Sequence, residues 1–225
     1  MKKIQLLGVE LTDYSLRESM RKVDEFLRDG KVSTIGYITT KGLMEAGENE
    51  EIKKWMMNLD LTVPADSDIL HAAGVEGTSR IHEVEENLFL KDFLKKLVRG
   101  KKTVFILSDT KEQMGELSKI LLEYQDHLKI VGTYAMEELT AEDDYLVNEI
   151  NIAAPDVIIS NLSSPKREMF LEANSMKLNV EVWLMLKNGM KLGNKCQGIL
   201  TNIYDKILQK VFRRRVKKSM KETDE

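Results

Sequence analysis

Short runs of aliphatic and β-branched residues alternate along this chain with turns and helix-period segments, and that alternation restricts the fold more than any other feature. Thr103-Val104-Phe105-Ile106-Leu107 has the density of a buried strand, and Ser108-Asp109-Thr110 follows it as a turn. Thr110 and Gln113 have capping-box spacing, which predicts a helix reaching about Tyr124. Lys129 to Thr133 is the next strand, and a helix is expected from about Ala141 to Ile152. Pro155 and Asp156 introduce a strand from Val157 to Ser160. Pro165 stands where the first residue of a helix reaching about Met176 is expected. Val180 to Leu184 closes the series as a further strand.

The first hundred residues follow the same grammar. Ile4 to Val9 reads as a strand, and Ser15 with Glu18 caps a helix to about Arg28. Thr34 to Ile38 and Leu61 to Val63 read as buried strands, with helices over Glu50 to Met57 and Leu88 to Val98. Strands separated by helices of this length pair in parallel through crossovers. The expectation is an α/β fold: a doubly wound, mostly parallel, Rossmann-like sheet over residues 1–195, with a basic helical appendage over 196–225.

Charge is unevenly spread. The net charge is −3, yet Lys206 to Lys221 holds eight Lys or Arg residues and no acid. The chain is therefore an acidic body with a basic end. Ile199-Leu200, Ile203-Tyr204, Ile207-Leu208 and Val211-Phe212 recur at near-helical spacing and make one apolar stripe. One reading docks this helix on its own domain. The other rests it on an anionic membrane surface through Lys210, Arg213, Arg214, Arg215, Lys217 and Lys218, each worth about 1 kcal/mol near an anionic leaflet. Nucleic acid is not an expected partner, because one helix alone is basic and no recognition motif accompanies it. No window approaches the roughly 18 apolar residues of a membrane span, and the N-terminal apolar run is too short for a signal peptide. A single cysteine, Cys196, rules out an internal disulfide and suits a reducing compartment. A cytoplasmic protein, peripheral at the inner membrane face, is expected.

Ligands of open parallel sheets lie beyond the carboxyl ends of the strands. That rule selects Thr39-Thr40-Lys41, Ala65 to Asp68, Ser108-Asp109-Thr110, Thr133-Tyr134 and Ser160 to Glu168. In the last, two hydroxyls, a helix N-terminus and two cations meet at one turn, which suits a phosphate-bearing ligand. The plainer reading is a serine cap before proline, with solvated Lys166 and Arg167. Asp66 and Asp68 fit a base, a metal ligand or an ordinary turn and helix cap. No P-loop or dinucleotide fingerprint is present, and His71, His82 and His127 lack zinc-ligand spacing with one another or with Cys196. No metal or cofactor is expected.

The order of these segments resembles the WecG/TagA/CpsF family of bacterial glycosyltransferases along nearly the whole chain. Leu7-Gly8-Val9 with the Ser15 helix, Met44 to Pro64, and Lys102 to Val182 carry the resemblance. Its tightest element is Ser164-Pro165-Lys166-Arg167-Glu168, similar to the family's G-x-P-K-Q-E signature. The resemblance implies metal-free transfer of N-acetylmannosamine or a related hexose from a UDP-sugar donor to a polyprenyl-pyrophosphate-linked acceptor, in teichoic acid, enterobacterial antigen or capsule assembly. It implies substrate contacts at Thr39, Arg80, Ser164, Lys166, Arg167 and Glu168; in an active enzyme with an altered site, Asp66 is the candidate base. It leaves a homo-oligomer open. The chain departs from the family at several of these places. The L-P-D-G aspartate falls at Ala65, one residue before Asp66; T-x-N is reduced to Tyr37-Ile38-Thr39; the signature glutamine is Arg167; and a glycine pair falls at Lys187-Asn188. These losses together also fit a catalytically silent relative retained as a binding or scaffold partner.

Overall fold

The computed structural model describes residues 2–139, 143–187 and 208–219. The chain opens with an antiparallel hairpin, β1 (Lys2–Leu6) and β2 (Val9–Asp13), which forms its own two-stranded sheet. The strand expected over Ile4 to Val9 is thus broken in two. Leu7 at φ 53° and Gly8 at φ 77° occupy the left-handed region and turn the chain back on itself.

From there α1 (Leu16–Phe26), β3 (Ser33–Ile38), α2 (Thr40–Ala46), α3 (Glu50–Met57), β4 (Leu61–Pro64), α4 (Ser67–Ala72), α5 (Thr78–Glu85) and α6 (Leu88–Arg99) follow. The second half runs β5 (Thr103–Ser108), α7 (Lys111–Tyr124), β6 (Lys129–Ala135), α8 (Asp143–Ala153), β7 (Val157–Ser160), α9 (Lys166–Asn174) and β8 (Val182–Met185). A last helix, α10, occupies residues 208–219. Ser15 and Glu18 form the expected capping box on α1, and the Thr110 hydroxyl accepts from the Gln113 amide at the start of α7. Pro165 precedes α9 instead of opening it, because its ψ of 1° lies outside the helical region. The helices α2, α4 and α5 are too short for an apolar period to announce them.

Six strands form one all-parallel sheet in the order β4-β3-β8-β7-β5-β6. Both faces are covered, which is why the central strands are apolar throughout. On one face Ile35, Val63, Ile106, Ile159 and Leu184 pack against Val23 of α1, Phe93 of α6 and Leu117 of α7. On the other, Phe105, Ile158 and Trp183 meet Ile150 of α8 and Phe170 of α9. The buried indole of Trp183 donates to Ser160 Oγ at 2.8 Å, so this face carries one satisfied polar contact in its middle. Gly132 of β6 is required by the Phe105 ring, which would lie 2.5 Å from any Cβ there. The hairpin, α2, α3, α4 and α10 enclose a third cluster that contains Ile4, Leu6, Leu43, Ile69 and, from α10, the fully buried Phe212.

Candidate functional site

The sheet order puts a switch point between β5 and β7. The chain leaves β5 through α7 on one face and leaves β7 through α9 on the opposite face. The two connections diverge and open a crevice above the strand ends, the position where doubly wound sheets bind ligands.

Strand register determines what lines that crevice. Leu107 pairs with Ser160, so Ser108 and Asn161 follow side by side, joined by a 3.2 Å bond from the Asn161 amide to the Leu107 carbonyl. Asp109 accepts from the Ser163 amide at 2.9 Å, and its other oxygen lies 4.0 Å from the Lys166 ammonium. Ser108 Oγ, Asp109 Oδ1, Asn161 Oδ1 and, on the first turn of α7, Gln113 Oε1 are buried with no hydrogen-bond partner. Buried polar atoms are nearly always paired, because each unmet one costs about 1–3 kcal/mol. Three of these atoms stand at the adjacent ends of β5 and β7 and the fourth on the helix that follows β5; all can accept, which suits a ligand that presents hydroxyl or N–H donors.

Ser164 is exposed and joins Pro165 through a cis peptide bond. The Lys166 side chain is 58% exposed and remains free to reach a ligand over the crevice. Arg167 turns away from it. Its guanidinium lies 4.6 Å from the centre of the Trp55 ring and donates to Glu168 at 2.6 Å. Arg167 and Glu168 therefore brace α9 against α3, although Arg167 Nε, Glu168 Oε2 and Trp55 Nε1 keep no hydrogen-bond partner.

A second group lies at the ends of β3 and β4. Ala65 packs into the core on the α1 and α6 side of the sheet. Asp66, one residue on, points the other way, as the two-residue repeat of extended chain dictates. One carboxylate oxygen accepts from the Thr40 amide at 3.0 Å, and the other is 3.1 Å from the Lys187 ammonium. The Asp66 side chain is 27% exposed and that of Lys187 is 32% exposed. Thr39 caps α2 by accepting from the Gly42 amide at 2.9 Å. Arg80 forms ion pairs with Asp13 at 2.8 Å and Glu83 at 3.2 Å beside a pocket under Pro64. No hydrogen bond or ion pair joins Asp66 to Arg80 or to Lys166 among the described residues. Tyr134, expected beyond a strand, is inside β6, which extends to Ala135. No group of three or more His, Cys, Asp or Glu side chains among the described residues is arranged to hold a metal ion.

The basic helix is docked. Phe212 and Val216 are buried against the hairpin and α4 region. Arg213 donates through Nε to Asp68 at 3.0 Å, and Asp68, at 5% exposed, is the most buried carboxylate among the ion pairs of the described residues. Arg215 pairs with Glu48. Lys210, Arg214 and Lys217 are exposed and form no ion pair with a described residue. Most of the apolar stripe, from Ile199 to Ile207, lies outside the described residues. No helix among the described residues is long and apolar enough to cross a membrane.

A doubly wound α/β sheet with a polar crevice at its switch point is the framework of many enzymes that bind nucleotides and sugars. The model of the glycosyl transferase WecG/TagA/CpsF family matches residues 4–189, and the chain belongs to that family. No curated protein matches it.

The sequence rule for strand ends selected Ser108, Asp109 and Asn161, but only the register showed that they stand side by side at adjacent strand ends. Lys187 is the residue that sequence reasoning missed. In the chain it is only a bulky replacement for glycine; in the fold it is the partner of Asp66.

Proposed function

We propose that the chain transfers N-acetylmannosamine or a related hexose from a UDP-sugar to a polyprenyl-pyrophosphate-linked acceptor. The observation that carries this reading is the group of buried polar atoms without hydrogen-bond partners at the ends of β5 and β7 and on the first turn of α7. Sugar and ribose hydroxyls supply the donors these atoms lack. Lys166, at the rim of the same crevice, is positioned for the diphosphate. Asp66 is the base. It removes the proton of the acceptor hydroxyl, whose oxygen bonds to the anomeric carbon while the bond from that carbon to the diphosphate oxygen breaks. UDP leaves with the electron pair. The basic α10 helix brings the protein to the inner membrane face where the lipid-linked acceptor resides, through Lys210, Arg214 and Lys217 in its docked position.

A second reading, a silent family member that binds its ligand without transfer, is favoured by one observation: both oxygens of Asp66 are engaged, one by Lys187 and one by the Thr40 amide. Incubation with UDP-N-acetylmannosamine and lipid-linked acceptor separates the two. Transfer predicts UDP release that falls about 10²- to 10⁴-fold in Asp66→Ala, the usual cost of losing a general base. UDP binding without release supports the silent reading. Release unchanged in Asp66→Ala removes Asp66 from the mechanism.

A further inference from the structure

Lys187 follows the strand that lies between the two groups of polar residues. In the order β4-β3-β8-β7-β5, β8 is the middle strand, two strands from β4 and two from β5. Adjacent strands are about 4.8 Å apart, so both ends of that run lie about 10 Å from the β8 axis. Lys187 is the second residue past β8, and the Leu186 amide before it is anchored to the Ser160 carbonyl at 2.7 Å. From this fixed base the lysine side chain reaches over the end of β3 to Asp66 at 3.1 Å. The same length of side chain, swung the other way, extends over the end of β7 towards β5.

We propose that Lys187 is a swinging cation: it neutralises Asp66 while the crevice holds no anion and moves to the diphosphate when a nucleoside diphosphate or its sugar binds. The inference rests on the reading of the crevice as the donor site. Electrostatics gives it a direction. Asp66 offers Lys187 one negative charge in a pair that is 27% and 32% exposed, where such pairs hold weakly. A diphosphate offers more charge and several acceptor oxygens. A lysine tied by rigid geometry could not exchange partners, but its flexible stem and rotatable ammonium carry that freedom. Departure of Lys187 leaves one oxygen of Asp66 unpaired, so donor binding itself prepares the base for the acceptor hydroxyl. Lys187 is a positioning residue for Asp66 and a direct ligand of the donor.

Calorimetry on the full chain with UDP and with uridine tests this without relying on turnover. Lys187→Met is expected to weaken UDP about tenfold or more, the scale of a lost charge-assisted hydrogen bond, and to leave uridine within about twofold. Lys187→Arg should recover most of the UDP affinity. Asp66→Asn, which releases the lysine from its resting partner, should tighten UDP by about two- to fivefold, the worth of a part-exposed ion pair. UDP affinity that changes less than twofold in Lys187→Met would mean that the lysine never leaves Asp66, and the proposal falls. Equal losses for UDP and uridine would make Lys187 a structural support and overturn it as well. If neither compound binds the wild-type chain, the donor-site reading itself is wrong and the inference falls with it. UDP binding without the Lys187 effect sinks the inference alone.

Discussion

Replacement of Phe212 by alanine should detach the basic helix while leaving the sheet intact. Phe212 is fully buried among the hairpin, α2 and α4, and Val216, one turn on, is 3% exposed. The two ion pairs that accompany them, Arg213 with Asp68 and Arg215 with Glu48, have arginines that are 60% and 46% exposed. Such pairs contribute about 0.2–1 kcal/mol each, whereas a fully buried Phe contributes about 1.5–3 kcal/mol and its truncation costs about 3–5 kcal/mol. Apolar burial therefore dominates the docking. Loss of about 3 kcal/mol from a local opening equilibrium raises amide exchange roughly a hundredfold in the opened segment. Hydrogen exchange read by mass spectrometry should show that acceleration over residues 208–219, with β5, β7 and β8 unchanged. Exchange that rises equally in the helix and the sheet would show that α10 unfolds only with the whole domain. No acceleration at all would show that the polar contacts hold the helix, and the comparison of magnitudes would be wrong.

The same helix predicts how the protein meets lipid. With Lys210, Arg214 and Lys217 changed together to Gln, binding to anionic vesicles should weaken by about 3 kcal/mol at low salt, and high salt should abolish binding in the wild type; sedimentation with vesicles measures both, and salt-insensitive binding would contradict an electrostatic contact. A third prediction concerns the amino edge of the sheet, where Asp156 accepts from the Thr103 amide at 2.6 Å, from its hydroxyl at 2.8 Å and from Lys102 at 2.9 Å. Burial alone would raise the Asp156 pKa, but the Thr103 amide, Lys102 and the Thr103 hydroxyl together hold it below the ordinary aspartate value. Its contribution is therefore present above the unfolded-state pKa of about 4 and lost as pH falls through the lower folded value. Asp156→Asn should flatten the loss of stability below about pH 4 in urea melts taken across pH, and an unchanged acid limb would exclude this network as its source.

How much of this was legible in the sequence differs from residue to residue. The strands at Thr103, Val157 and Leu61 were readable because strands buried on both faces must be apolar throughout. The α1 capping box was readable because it is satisfied by residues three apart. Local chemistry of that kind does not depend on the rest of the fold. The hairpin at Leu7-Gly8 was missed although its signal is local, because the run from Ile4 to Val9 passes for one strand until the backbone turns. The short helices around Asp66 and Arg80 lack the length that would make a period visible.

The candidate site divides along the same line. The sequence determined an α/β sheet with polar residues at its strand ends, an acidic body with a basic end, and the family to which the chain belongs. Only the tertiary structure decided which charges find each other. Asp66 meets Lys187 across 121 residues, and Asp68 meets Arg213 across 145. Arg80 is taken by Asp13 and Glu83 and Arg167 by Glu168, leaving Lys166 as the signature's exposed cation. Such pairings depend on strand order and on which face of the sheet each crossover takes, and neither is encoded in the spacing of residues along the chain.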